Sequence, residues 1–213
     1  MTQLYVGLVL YGISSALQVR AALGLDPWDV LHQGIAKHTH HAIGTVVIAI
    51  GVVVLLGWIP LRQRPGVGTI SNVVVLGLAM NATLSLLPDQ HGYLIRIALL
   101  VGGILLCAIA TGMYINAGLG PGPRDGLMTG LARRTGVSIR VTRTLLELTV
   151  LVTGWLLGGT VGIGTVAFAV SIGPLAQLFL RLFRIDTAEP ARPVGSGDPD
   201  SQQPTPVGQM SPG

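Results

Sequence analysis

Six long apolar stretches dominate this chain and leave it few ways to fold. They run from about Leu4 to Ala22, Ala42 to Leu61, Val67 to Leu87, Tyr93 to Gly118, Val141 to Gly158 and Val161 to Phe183. A helix needs about 20 mainly apolar residues to cross the hydrocarbon core of a bilayer, and each stretch meets or approaches that length. Charged residues make up only 10% of the 213 positions, against about 25% in soluble domains. The chain reads as an all-α integral membrane protein, with the lipid bilayer as its first partner. Its 30 glycines follow no Gly-X-Y period and sit inside apolar runs, which excludes collagen. The single cysteine, Cys107, allows no internal disulfide.

The net charge of +4 does not point to nucleic acid, because the basic residues punctuate the apolar segments. With the amino terminus in the cytoplasm, ten arginines fall on the inner face: Arg62, Arg64, Arg124, Arg133, Arg134, Arg140, Arg143, Arg181, Arg184 and Arg192. Only Arg20, Lys37 and Arg96 fall outside, so the positive-inside rule places both termini in the cytoplasm. The opening segment lacks a positive n-region and reads as a retained span rather than a signal peptide. From residue 186 to residue 213 the composition turns to Pro, Gly, Ser, Asp and Gln, and a disordered cytoplasmic tail is expected.

Shifting the sequence by 96 residues aligns its two halves without a gap. Between Ala21–Thr45 and Ala117–Val141, ten of 25 positions are identical. Leu23, Gly24, Pro27, Asp29, Leu31, Gly34, Ala36 and Thr39 recur as Leu119, Gly120, Pro123, Asp125, Leu127, Gly130, Ala132 and Thr135. The same shift pairs Gly66-Val67-Gly68-Thr69-Ile70 with Gly162-Ile163-Gly164-Thr165-Val166. Three spans per unit is an odd number, so the second unit enters the membrane from the opposite side. The expected architecture is therefore a six-helix bundle built from two inverted three-helix repeats, residues 1–88 and 89–185, an arrangement typical of secondary transporters.

Asp26-Pro27-Trp28-Asp29 has the form of a helix start, with Asp26 as N-cap and proline at the first helical position. Gly122-Pro123-Arg124-Asp125 repeats it. The helix that follows, about Pro27 to Thr39, spans about 20 Å and is too short to cross a membrane. Short interfacial or re-entrant helices are thus expected after spans one and four. Asp29 and Asp125 are either capping carboxylates or a symmetry-related pair of binding residues. Polar groups inside spans are costly and mark candidate sites: Asn81 and its equivalent Gln177, and Glu147, which can also pair with Arg143 one turn earlier. Gly66, Gly68, Gly162 and Gly164 read as helix-packing glycines.

His38, His40 and His41, with His32 a little earlier, lack a second ligand cluster, and no metal site or other cofactor is expected. No nucleophile elbow, HExxH or Walker loop is present, and the chain does not read as an enzyme. The GLDPWDVLHQGIAKHT block, followed by IGTVVIAIGVVVLL and PGVGTISN, resembles the YczE/YitT-like family of bacterial integral membrane proteins. That resemblance implies a six-helix protein of the bacterial cytoplasmic membrane. The expected function is a small-solute permease or exporter with Asp29, Asp125, Asn81, Gln177 and Glu147 as tentative site residues. The rival expectation is a membrane scaffold or accessory protein for a membrane-associated enzyme, and a homo-oligomer is compatible with either.

Overall fold

A computed structural model describes residues 1–183, and the tail read as disordered lies outside them. Eight α-helices make up the described residues: α1 (Thr2–Ala21), α2 (Pro27–Thr39), α3 (Ile43–Trp58), α4 (Val67–Leu86), α5 (Tyr93–Asn116), α6 (Pro123–Thr135), α7 (Ile139–Leu156) and α8 (Ile163–Leu182). Four of them, α1, α4, α5 and α8, are long and apolar enough to cross a membrane. The pair α2 and α3 qualifies only jointly, as a broken or re-entrant unit bent by 112°. The expectation of six separate spans is narrowed accordingly. Helix α3 has 16 residues, about 24 Å at 1.5 Å per residue, because Pro60 follows and Arg62 takes a left-handed conformation at φ 52°. Helix α7 carries Arg140, Arg143 and Glu147 in its first half.

The centre of the molecule is the packing of α1 against α5. Small residues permit it: a Cβ at Gly7 would lie 3.0 Å from the backbone nitrogen of Tyr114, and one at Gly103 would lie 2.8 Å from the Gln18 side chain. Helix α4 joins α1, and α8 joins α5. The short helices cross over between the halves, α2 lying on α7 and α6 on α3. Gly154 of α7 sits so close to α2 that a Cβ there would come within 2.4 Å of the Leu31 nitrogen.

Two clasps fix where the short helices begin. After α1 the chain reverses at Gly24, φ 120°, and after α5 at Gly120, φ 121°, both in a region that favours glycine. The start of α8 holds the first turn: Gly164 N–H donates to Leu23 C=O at 2.8 Å. The start of α4 holds the second: Gly68 N–H donates to Leu119 C=O at 2.8 Å, and Thr69 Oγ1 donates to Pro121 C=O at 2.7 Å. Each Gly-X-Gly-Thr therefore grips the reversal belonging to the other half. A Cβ at Gly66 or Gly162 would lie 2.4 Å from the carbonyl oxygen of Leu119 or Leu23. Replacing either glycine by alanine is expected to cost about 1–3 kcal/mol in thermal unfolding of the detergent-solubilised protein. Gly102→Ala, where a Cβ meets nothing within 4 Å, should cost nothing.

Candidate functional site

The two clasped reversals bring the first turns of α2 and α6 face to face. Asp26 caps α2, its Oδ1 accepting from the N–H groups of Trp28 at 2.8 Å and Asp29 at 2.9 Å. Across from it, the Arg124 guanidinium of α6 lies 3.7 Å from Asp26 Oδ1 and 3.8 Å from Asp29 Oδ1, and 4.9 Å above the Trp28 ring. Trp28 and Arg124 occupy equivalent positions of the repeated block, so this exchange in the helix start stacks a cation on an aromatic ring.

Asp29 is 1% exposed. Its Oδ1 also pairs with His32 Nδ1 at 3.0 Å, while its Oδ2 meets no hydrogen-bond partner among the described residues. The carboxylate faces Arg124 and His32, and Asp26 does the capping. Asp125, at the matching position of α6, instead accepts from the Tyr114 hydroxyl at 3.0 Å. The α6 start is anchored by Trp58 Nε1 donating to Pro123 C=O at 3.1 Å. A buried charge survives only when paired or hydrogen-bonded, and this cluster meets that demand for all but one oxygen.

A cavity lies on either side of the cluster. The smaller, of about 90 Å³, is walled by Val47, Gly51, Asn72 and Leu76 from α3 and α4. The larger, of about 270 Å³, is walled by Arg143, Glu147, Phe168 and Ile172 from α7 and α8. These are equivalent positions, 96 residues apart in each case. Tyr11, Trp28, Tyr114, Arg124 and Asp125 line both cavities and form the partition between them.

The tentative site residues fall in different places. Asp125, Glu147 and Gln177 line the larger cavity, whereas Asp29 lines neither cavity and faces Arg124 at 3.8 Å. Glu147 accepts from Arg143 Nε at 2.8 Å. Asn81 lines neither cavity: its Oδ1 accepts from Gly44 N–H at 2.8 Å and its Nδ2 donates to Thr45 Oγ1 at 3.2 Å, joining α4 to α3. Sequence reasoning did not single out Asp26, Arg124, Tyr11 and Tyr114 as site residues. The available signal was the Trp28-to-Arg124 exchange between the two identical pairs Pro27/Pro123 and Asp29/Asp125 of the repeated block. Among the described residues no three His, Cys, Asp or Glu side chains gather as a metal would require.

A profile of the "Family of unknown function (DUF6198)" matches residues 1–181. The chain belongs to the DUF6198 family. It is 43% identical over 179 residues to an uncharacterized protein of Haemophilus influenzae, covering 84% of this chain and 82% of that one. It is 32% identical over 180 residues to the uncharacterized membrane protein YczE of Bacillus subtilis, with 83% of each covered. The YczE-like resemblance is thereby established, and with its apolar helices this DUF6198 chain is a membrane-embedded protein. No solved structure matches it.

Tyr114→Phe removes one hydroxyl and leaves Asp125 without its donor. A hydrogen bond to a charged group contributes about 1.5–3 kcal/mol, and a stability loss of that order is expected in detergent. Tyr5→Phe, which loses an exposed 3.4 Å contact with Ser71, should change nothing measurable.

Proposed function

We propose that this protein is a small-solute permease or exporter of the bacterial cytoplasmic membrane, its path running between two inverted repeats, residues 1–88 and 89–185. In this reading α1, α3, α4, α5, α7 and α8 are the six membrane crossings, α2 and α6 enter partway, and both termini are cytoplasmic. The observation that carries it is the pair of cavities at equivalent positions, separated by one charged partition. Charged groups at membrane depth are costly and belong to bundle interiors or solute pathways. In transporters with repeated halves, the site lies where helix ends of the two halves meet. Asp125, Glu147 and Gln177 supply acceptors and an amide around the larger cavity, and Asp29 acts through Arg124 in the partition. Asn81 belongs to the closure of the path rather than to solute contact.

The competing role is a scaffold that supports a membrane-associated enzyme through the arginine-rich end, which carries Arg133 and Arg134 at the close of α6. Thermal stability of the purified protein across a panel of ions, amino acids, nucleobases and amphipathic drugs separates the two. A solute at 100 times its dissociation constant should stabilise by about 2.7 kcal/mol. The permease reading expects such a solute and expects Asp29→Asn or Glu147→Gln to abolish its effect. Silence across the panel from folded protein contradicts it and favours the scaffold.

A further inference from the structure

The two halves match in sequence but not in how their third and fourth helices meet. In the first half α3 and α4 are closed on each other: a Cβ at Gly44 would lie 2.1 Å from the carbonyl oxygen of Gly77, and Asn81 bonds across to Gly44 and Thr45. In the second half α7 and α8 show no comparable packing among the described residues. Gly173, the equivalent of Gly77, has open space where a Cβ would stand. Arg140, the equivalent of Gly44, is exposed, and Gln177, the equivalent of Asn81, faces a cavity. The larger cavity shares Gln177 and Leu180 with a further one of about 360 Å³ that Asn116 and Arg181 also border. The counterpart of the larger cavity, between α3 and α4, measures about 90 Å³.

We propose that this structure is one of two exchanging states of a single path, shut at the Gly44–Gly77–Asn81 clasp and open between α7 and α8 at the Arg181 end. The other state opens the clasp and closes α8 onto α7. The proposal rests on the permease reading and adds the gate and the face on which the path now opens. Two independent observations converge on it: a backbone approach so close that only glycine fits on one side, and a void at the equivalent glycine on the other. The central packing of α1 on α5 stays fixed while the outer helices move.

Met80 and its equivalent Ala176 report on the two ends, since Met80 is 0% exposed and Ala176 borders the larger cavity. In a Cys107→Ala background, Met80→Cys and Ala176→Cys are made singly in the full chain, reconstituted in vesicles and exposed to a membrane-impermeant maleimide. Ala176→Cys should react from the face bearing Arg181, and Met80→Cys should be protected. Adding Asn81→Ala removes two hydrogen bonds from the clasp, enough to shift the balance by about tenfold or more. Met80→Cys should then become reactive, and labelling of Ala176→Cys should slow by a similar factor. Gly44→Ala, which wedges the clasp apart and keeps the Asn81 amide, should act in the same direction and covers the case in which Asn81→Ala does not fold. A folded variant in which Met80→Cys opens while Ala176→Cys labels at an unchanged rate overturns the proposal, because the ends are then uncoupled. The readout needs no solute: coupled ends with no stabilising solute would defeat only the permease reading, and a bound solute with uncoupled ends would defeat only the gate.

Discussion

Everything else in this structure is arranged around the Arg124 guanidinium set between the carboxylates of Asp26 and Asp29. Two buried carboxylates in an apolar bundle are tolerable only beside a cation, and the partly buried Arg124 supplies it. That requires the first turns of α2 and α6, nearly 100 positions apart in the chain, to arrive at one point. The reversals at Gly24 and Gly120 aim them, and the Gly-X-Gly-Thr starts of α8 and α4 hold those reversals from the opposite half. A local motif in each half is therefore completed only by the other half, which makes the two units structurally interdependent although either could be read alone from sequence.

Duplication supplies the frame, and divergence supplies the chemistry. At the helix starts, Asp26 faces a glycine equivalent in Gly122, Trp28 faces Arg124, and His32 faces Met128. One half contributes the acids and the aromatic platform; the other contributes the cation and Asp125. The outer helices diverge in the same sense. Gly44 permits a backbone clasp on α4, whereas the equivalent place on α7 is taken by the exposed Arg140 and α7 stands apart from α8. Like-for-like halves would place two arginines or two tryptophans opposite each other at the crossing, and neither pairing would balance the buried carboxylates.

Sequence patterning made the helical, membrane-embedded class visible, because apolar runs of this length have few other uses. The reading of Pro27 to Thr39 as a short helix capped by Asp26 coincides with α2, since capping chemistry is local and carries its own signature. What periodicity could not supply was the destination of those helix starts. Whether Asp29 faces its own helix end or an arginine of the other half is a tertiary question, as is Asn81 bonding to α3 rather than lining a cavity. Apolar length also says little about where a helix stops: the stretch from Ala42 to Leu61 runs on across Pro60, whereas α3 has already ended at Trp58.

The central claim is that Arg124 and Asp29 depend on each other. A double-mutant cycle with Arg124→Gln, Asp29→Asn and the combined variant, read by chemical or thermal unfolding in one detergent, tests it directly. Arg124→Gln leaves the buried Asp29 carboxylate without its cation, and Asp29→Asn takes from Arg124 one of its two acids, so the account predicts that the double variant loses less stability than the two singles together. The expected coupling is about 1–3 kcal/mol. Additivity to within about 0.5 kcal/mol would contradict the account and mean that the two helix starts meet without holding each other.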